Sequence, residues 1–151
     1  MTTLNTEHFQ QTFRACFDCL SDVGLLIHQA ADAAGLDDVS RYQVETAVDE
    51  ACSNIIEHSY GGENRGEIVC TCTVDQEGLT VVLQDEGKPF DPSKVKAPNL
   101  KAGLKERDSH GLGLHFIYEW MDRVVFEAGP KLGNRLTMVK LRSAAEAPPA
   151  R

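Results

Sequence analysis

The chain has 151 residues, of which 42% are hydrophobic and 25% charged, the balance of a single folded domain with one core. Its net charge of −8 disfavours general nucleic-acid binding, and the sequence has no run of about eighteen apolar residues that could cross a membrane. The N-terminus lacks the basic and apolar regions of a secretory signal, so we expect a cytoplasmic location. We predict one domain over residues 1–142 and a disordered Ala- and Pro-rich tail over 143–151.

The N-terminal part of the chain predicts a strand followed by a helix. Apolar and polar residues alternate over 7–17, which is the period of a strand. Asp18 or Ser21 can cap a helix whose apolar stripe continues to about Ala34. Gly35 follows, and we expect it to end the helix in the left-handed backbone conformation.

A second helix and a hairpin come next. Ser40 is predicted as the N-cap of the helix, apolar residues recur after it at helical spacing, and the glycines at 61–62 are predicted to end it. Residues 67–74 and 79–85 are rich in β-branched side chains. The sequence Asp-Gln-Glu-Gly between these two runs predicts a hairpin turn.

The C-terminal half begins with a long segment that has no clear periodicity. Residues 88–109 carry six cations and three acidic side chains, a net charge of +3, which fits either a solvated loop or a cationic loop near bound phosphates. A short helix is predicted over 112–121, and strands are predicted near 123–128 and 135–142. This order of elements predicts an α+β fold, a two-layer sandwich with the helices on one face of a sheet.

The five cysteines are interpreted as structural residues. Their spacing is not that of a secreted disulfide framework. Cys16 and Cys19 form a C-x-x-C, which could serve redox or metal chemistry, but no second cysteine or histidine pair completes a zinc site. Cys70 and Cys72 lie two residues apart in a predicted strand, so we expect both to be buried on one face.

The second helix brings a carboxylate and a carboxamide together. Glu50 and Asn54 are four residues apart and lie on the same side of the helix, beside the apolar stripe, with His58 one further turn along. A polar helix flank without a function would explain the pair. The alternative is chemical, because a carboxylate can orient or deprotonate a hydroxyl and an amide oxygen is a good ligand for Mg²⁺.

Asp85 and Gly87 directly follow a predicted strand. A carboxylate at a strand end can accept a hydrogen bond from an amino group such as the N6 amine of adenine, and a glycine lets the backbone approach a planar ring closely. A plain turn is the alternative, because Asp, Gly and Pro cluster at this point of the chain.

Gly111 and Gly113 precede a predicted helix. Glycines at a helix N-terminus expose backbone N–H groups that, together with the helix dipole, favour a bound anion such as phosphate. The segment is not a Walker A loop, since no Gly-Lys-Ser/Thr follows, and no hydrophobic strand leads into it as a Rossmann motif requires. A glycine-rich helix start without a ligand is the alternative.

In this order and on these elements, the three motifs resemble those of the GHKL ATPase superfamily. The resemblance covers roughly residues 7–142. The matching segments are the N-box V-D-E-A-C-S-N-I-I-E-H at 48–58, the G1 box at 85–87, the G2 box at 111–113 and the closing strand motif G-N-R-L-T at 133–137. The resemblance implies a Bergerat-type ATP-binding fold with a mixed, mostly antiparallel sheet.

Within that superfamily the chain is most similar to the serine/threonine kinases that act as bacterial anti-sigma factors, which are free-standing domains of about this length. A-V-D-E-A at 47–51, N-I-I-E-H at 54–58 and D-x-G-x-P-F-D-P at 85–92 are typical of that group. The resemblance implies phosphoryl transfer from ATP to a serine or threonine of an anti-sigma-factor antagonist protein. It also implies a second surface that binds a sigma factor, and homodimerisation is common in the group.

Carried over to this sequence, the resemblance implies roles for individual residues. Glu50 would be the base or positioning carboxylate, and Asn54 would hold the Mg²⁺ that bridges the phosphates of ATP. Asp85 would bind the adenine amine, with Gly87 beside the ring and Thr137 near adenine. These residues come from separate predicted elements, which must therefore meet around one pocket.

The resemblance assigns the phosphates to the long loop and the helix that follows it. Residues 89–109 would form the ATP lid, which accounts for the length and positive charge of that segment. Gly111 and Gly113 would contact phosphates through their backbone N–H groups. Lys105 and Arg107 are further candidates for phosphate contact.

A few positions depart from the family pattern. Pro89 stands where the general G1 box has its second glycine, although the anti-sigma group often has proline there. Ser109 and His110 replace a glycine-rich start to the G2 box, which bears on lid geometry and ATP affinity more than on the fold. His110 either touches a phosphate or faces water, and His58 either takes a direct role or only closes the helix end.

A binding module that holds ATP and sequesters a partner without phosphoryl transfer is the main alternative function. Glu50 argues against it, because loss of this carboxylate is expected in an inactive kinase. A histidine kinase working in trans is disfavoured, since no upstream helical hairpin with a phosphoacceptor histidine is seen. A gyrase- or Hsp90-like ATPase would need transducer domains that 151 residues cannot hold.

Overall fold

The computed structural model describes residues 6–89 and 116–143. Its strands and helices are β1 (Glu7–Arg14), α1 (Leu20–Ala34), α2 (Asp38–Asn54), β2 (Glu67–Val74), β3 (Gly78–Asp85), β4 (Arg123–Gly129) and β5 (Gly133–Leu141). A 3₁₀ turn, Phe17–Cys19, precedes α1, and a π-helical turn, Ile55–Ser59, continues α2. Residues 116–120 are helical and belong to the helix predicted over 112–121.

The five strands form one sheet in the order β1-β2-β3-β5-β4. Every pair of neighbouring strands is antiparallel, so the described sheet lacks the parallel component that a mixed sheet would have. The register places Leu83 opposite Leu136 and Asp85 opposite Asn134. The α+β prediction is confirmed.

One face of the sheet packs against the two helices and carries the core. Alternate residues of β2 and β3 are buried, as expected for strands covered on one side only. The buried strand side chains of this core are Phe13, Ile68, Cys70, Cys72, Val74, Leu79, Val81, Leu83 and Met138, and they meet the apolar stripes of α1 and α2. The helices therefore hold the sheet from one side, and the ends of α2, β3 and β5 come together.

The buried cysteines belong to this core, as predicted. Cys52, Cys70 and Cys72 are free and buried. Burial raises the pKa of Cys52 to about 12, with a further contribution from Asp49. A hydrogen bond with Cys72 and burial raise the pKa of Cys70. Cys52 and Cys70 are therefore thiols that act as small apolar side chains.

The start of the chain differs from the prediction. β1 ends at Arg14 rather than continuing to residue 17, because the backbone turns into the 3₁₀ segment. Cys16 and Cys19 are joined by a disulfide across this turn, with their Cα atoms 5.3 Å apart. The sequence analysis left the C-x-x-C without a pairing, and its spacing fits the single tight turn that the two residues enclose.

Helix boundaries confirm one prediction and correct another. Gly35 ends α1 with φ 70° and ψ 29°, in the left-handed region as expected. The N-cap of α2 is Asp37, not Ser40, because the Asp37 carboxylate accepts the backbone N–H of Ser40 at 2.7 Å. Ser40 thus lies in the first turn of the helix that it was predicted to cap.

The hairpin of β2 and β3 and the two C-terminal strands agree with the predictions within a few residues. None of the helices in 6–89 and 116–143 is both long and apolar enough to cross a membrane. The tail predicted over 143–151 lies outside the described residues except for its first position.

Candidate functional site

A pocket lies between the C-terminal end of α2 and the adjoining ends of β3 and β5. Four polar residues reach it, namely Asn54, Ser59, Asp85 and Asn134. Its remaining walls are mainly apolar and come from Ala51, Ile55, Leu83, Ile117, Tyr118, Phe126 and Leu136. Apolar walls with a few convergent polar groups are the usual composition of a small-molecule site.

Of the predicted carboxylate and carboxamide on α2, the carboxamide lines the pocket and the carboxylate does not. Asn54, the last residue of α2, lines the pocket and is only 7% exposed. Glu50 lies one turn earlier on the same side of α2, half-buried, and is not among the lining residues. His58 is exposed to solvent. The structure therefore brings Asn54 to the pocket and leaves Glu50 at its margin.

The strand side of the pocket contains a buried carboxylate. Asp85 ends β3 and is 4% exposed. Its Oδ1 atom accepts the backbone N–H of Gly87 at 2.9 Å and the side-chain amide of Asn134 at 2.9 Å. Burial raises the pKa of Asp85, whereas hydrogen bonds from Asn134, Gly87 and Ser59 act to lower it. Asp85 is therefore a fixed hydrogen-bond acceptor in a largely dry setting.

Gly87 packs directly against the end of the helix. A Cβ atom at this position would lie 2.4 Å from the carbonyl oxygen of Ser59, a distance that no side chain tolerates. The next residue, Lys88, donates its backbone N–H to the same Ser59 oxygen at 2.7 Å. The glycine is thus required for the turn after β3 to seat on the helix end, a role additional to the predicted place beside a ring.

A π-helical turn explains how Ser59 reaches the site. Tyr60 donates its backbone N–H to the carbonyl of Ile55 at 3.0 Å, five residues back instead of four. Single π turns within helices are frequent at functional sites because they re-aim side chains. Here the turn buries Ser59, which is 4% exposed, against Asp85. The sequence predicted a regular helix up to the glycines at 61–62, so Ser59 was missed.

Tyr60 ties the same turn to the end of the sheet. Its hydroxyl donates to the carbonyl of Glu67 at 2.7 Å and accepts the backbone N–H of Glu86 at 3.0 Å. The ring lies over Gly66, where an added Cβ would come within 2.2 Å of it. These contacts hold the residue after Asp85 in place, which further limits movement of the strand end.

Asn134, and not Thr137, is the residue of β5 that lies beside Asp85, whereas the sequence analysis placed Thr137 near adenine. Successive residues of a strand face opposite sides of a sheet, and these two residues are three apart on β5. Asn134 and Leu136 line the pocket on the helix-covered face, so Thr137 faces the other side. The structure does not bring Thr137 to Asp85. Asn134 belongs to the same G-N-R-L-T motif as Thr137. The alternation of side chains along the strand distinguishes the two residues, because only one of them can face the helices.

The predicted phosphate-contacting residues cannot be placed. Lys105, Arg107, Gly111 and Gly113, with His110, lie outside the described residues. Within the parts of the chain that are described, no three His, Cys, Asp or Glu side chains cluster as a metal site.

A buried aspartate at a strand end and a helix-borne asparagine line one mainly apolar pocket, as the resemblance to the GHKL ATPases implies. The chain belongs to the family described as the histidine kinase-like ATPase domain, whose model matches residues 14–140.

Relatives in this family carry kinase and anti-sigma names. The chain is 28% identical over 103 residues to the "Anti-sigma F factor" of Clostridium novyi (strain NT), covering 68% of this chain and 72% of that protein. It is 33% identical over 92 residues to the "Serine-protein kinase RsbW" of Bacillus velezensis (strain DSM 23117 / BGSC 10A6 / LMG 26770 / FZB42). That second match covers 58% of this chain and 56% of the relative, so the chain spans little more than half of that kinase.

A solved structure shows the same fold. The crystal structure of the RsbU and RsbW domains of Rv1364c from Mycobacterium tuberculosis superposes with a TM-score of 0.62 at 18% sequence identity. The match covers 96% of this chain and 34% of the other. The arrangement of sheet and helices described above is therefore that of an established fold.

Proposed function

We propose that the chain is an ATP-dependent serine/threonine protein kinase and anti-sigma factor. It phosphorylates an anti-sigma-factor antagonist protein and sequesters a sigma factor. The observation that carries the proposal is the mainly apolar pocket that buried Asp85 and buried Asn54 both line. The names of the relatives, anti-sigma factor and serine-protein kinase, support the same function.

The base of the nucleotide occupies the mainly apolar pocket in this proposal. Leu83, Leu136 and Phe126 supply surfaces on which a planar ring can pack. Asp85 accepts a hydrogen bond from the exocyclic amine of adenine, since its carboxylate is buried and already oriented by Gly87. Binding at this point fixes the base, so the phosphates extend toward the helix end.

Asn54 is the candidate ligand for Mg²⁺. Its carboxamide oxygen is a hard donor of the kind that this ion binds, and its position at the end of α2 and in the pocket lining supports a place near the phosphates of a bound nucleotide. When bound, Mg²⁺ neutralises charge that builds up on the transferred phosphoryl group. Lys105 and Arg107 are candidates to add positive charge near the phosphates, and the backbone N–H groups of Gly111 and Gly113 are candidates to donate hydrogen bonds to them.

Glu50 is the candidate base or positioning carboxylate. It lies one turn from Asn54, at the margin of the pocket, where the hydroxyl of a protein substrate can approach. The substrate oxygen bonds to the γ-phosphorus as the bond from that phosphorus to the leaving ADP oxygen breaks. The hydroxyl proton passes to Glu50, and most of the rate enhancement comes from positioning and charge stabilisation.

The test is transfer of labelled phosphate from MgATP to a candidate antagonist protein. We expect the native chain to label a serine or threonine of that protein. Glu50→Gln should bind ATP within about threefold of the native affinity yet transfer at least about 100-fold more slowly, the usual range for loss of a catalytic carboxylate. Glu45→Gln, on the same helix but beside His28 and away from the pocket, is the matched control and should transfer normally.

Two results would change the proposal. Binding of ATP without transfer in the native chain would favour the alternative, an ATP-holding module that only sequesters its partner. Equal transfer rates for Glu50→Gln and Glu45→Gln would remove Glu50 from the reaction.

A further inference from the structure

Asn134 is a buried polar residue whose position is fixed by strong contacts. It is 2% exposed and lies directly opposite Asp85 in the pairing of β3 with β5. Its side-chain nitrogen lies 2.8 Å from the carbonyl oxygen of Lys88, 2.9 Å from Asp85 Oδ1 and 3.4 Å from Ser59 Oγ. An amide nitrogen carries two hydrogens, so the two short distances, to Lys88 and Asp85, account for both of them.

Ser59 then acts on Asp85 as a donor in its own right. With the amide hydrogens of Asn134 directed elsewhere, the Ser59 hydroxyl is available to the Asp85 carboxylate, and this hydrogen bond acts to lower the pKa of Asp85. Asn134, Gly87 and Ser59 together surround one carboxylate with donors. Three hydrogen-bond donors around one carboxylate favour its ionised form and prevent it from rotating.

We propose that Asn134, assisted by Ser59, is a positioning residue that makes the pocket select a 6-amino purine over a 6-oxo purine. Its amide holds Asp85 at Oδ1, so the orientation of the carboxylate toward the base is fixed. This inference rests on the proposed function, because it assumes that the pocket receives the base of a nucleotide. It concerns the fixing of Asp85, not the contact between Asp85 and the base.

The selectivity follows from the hydrogen-bonding groups of the two purines. Adenine presents an N6 amine, which donates to a carboxylate oxygen. Guanine presents a carbonyl oxygen at the same place, and two acceptors facing each other in a buried site repel. If the Asp85 carboxylate could take up a proton, its O–H group could donate a hydrogen bond to the guanine oxygen. The pocket would then also bind guanine. By keeping Asp85 charged and immobile, Asn134 blocks this second mode.

Asn134→Val and Asn134→Thr form a matched pair for the test. Both side chains are β-branched, have nearly the same shape and suit a strand, but only threonine can donate a hydrogen bond to Asp85. Dissociation constants for MgATP and MgGTP are measured by calorimetry on the full chain. The native chain should prefer ATP by about 100-fold or more, because a misplaced acceptor in a buried site is costly. Asn134→Val should lower that preference to about tenfold or less, and Asn134→Thr should restore most of it.

The pH dependence separates positioning from simple support of the fold. Loss of the donor at 134 leaves burial to raise the pKa of Asp85 with less opposition. Since Asp85 must be ionised to accept the adenine amine, Asn134→Val should lose ATP affinity at a higher pH than Asn134→Thr as the solution is acidified. Thermal melting of both variants checks that they are folded.

The outcomes are distinct. If the native chain binds ATP, but the two variants share the same ATP-to-GTP ratio and the same pH profile, Asn134 only packs and this inference fails alone. If the native chain binds neither nucleotide, the proposed function fails and this inference with it.

Discussion

The two faces of the five-stranded sheet differ in what their residues do, although they are made by the same strands. On the helix-covered face of β5, Asn134, Leu136 and Met138 reach the pocket or the core. On the other face of the same strand, Arg135 and Thr137 lie beside Glu127 and Val125 of β4, and Val125 is 51% exposed. A polar residue on the covered face must be hydrogen-bonded, whereas the other face imposes no such demand. The buried polar side chains Asp85 and Asn134 therefore mark the part of the sheet that lines the pocket.

The largest effect on ATP affinity is expected from substitutions that compare the two faces of the sheet, at Asp85 on the helix-covered face and at Thr137 on the other face. Asp85→Asn replaces an acceptor with an amide that can present a donor to the adenine amine, which should weaken ATP binding by about 100-fold, or 2–3 kcal/mol. Thr137→Val, on the opposite face, should change affinity by less than about twofold. Calorimetric titration with MgATP measures both. Similar losses of ATP affinity in the two variants would show that binding does not depend on which face of the sheet a residue occupies.

A second contrast compares two glycines, one at the site and one on α1. Gly87→Ala places a methyl group against the Ser59 carbonyl, so it should destabilise the chain by about 2 kcal/mol and weaken ATP binding. Gly24→Ala meets nothing within 4 Å and should stabilise the chain by about 1 kcal/mol through helix propensity. Denaturant unfolding gives both values. If Gly87→Ala leaves the free energy of unfolding unchanged, the turn after β3 does not pack against the π-helical turn as described.

A smaller effect should appear in the pH dependence of stability without nucleotide. Burial raises the pKa of Asp85, so the native state holds this proton more tightly than the unfolded chain does. This contribution to stability is present at low pH and is lost as the pH rises through the folded pKa. Asp85→Asn removes the charged form and should be more stable than the native chain near about pH 7, with the difference shrinking toward about pH 4.

The control for this experiment is Asp18→Asn, which removes the same charge from an exposed position. Urea unfolding of the three proteins across that pH range measures the differences. An Asp85→Asn variant that is less stable than the native chain at neutral pH would mean that the donors around Asp85 outweigh its burial.

The sequence carried enough information to predict the fold and the two walls of the pocket. Helical spacing determined that Glu50 and Asn54 share one side of α2, and the run of β-branched residues put Asp85 at a strand end. Each of these predictions depends on local periodicity, which the finished fold preserves. The roles of these residues toward ATP and Mg²⁺ are still predictions.

The parts that could not be predicted depend on single-residue details of the backbone. Successive residues of β5 face opposite sides of the sheet, so a shift of one residue decides whether Asn134 or Thr137 reaches Asp85. The motif itself does not say which of its residues face the helices. The π-helical turn that delivers Ser59 departs from the regular helical period, so periodicity cannot reveal it. Asp37 and Ser40 are both good caps three residues apart, and only the observed hydrogen bond distinguishes them.

The most direct test of the account is a crystal structure of the chain with Mg²⁺ and a non-hydrolysable ATP analogue. We predict that the base lies between the end of α2 and the ends of β3 and β5, with its N6 amine within hydrogen-bonding distance of Asp85. The Asn54 oxygen should coordinate the metal. A nucleotide bound on the uncovered face beside Thr137, or one whose base does not touch Asp85, would contradict the account.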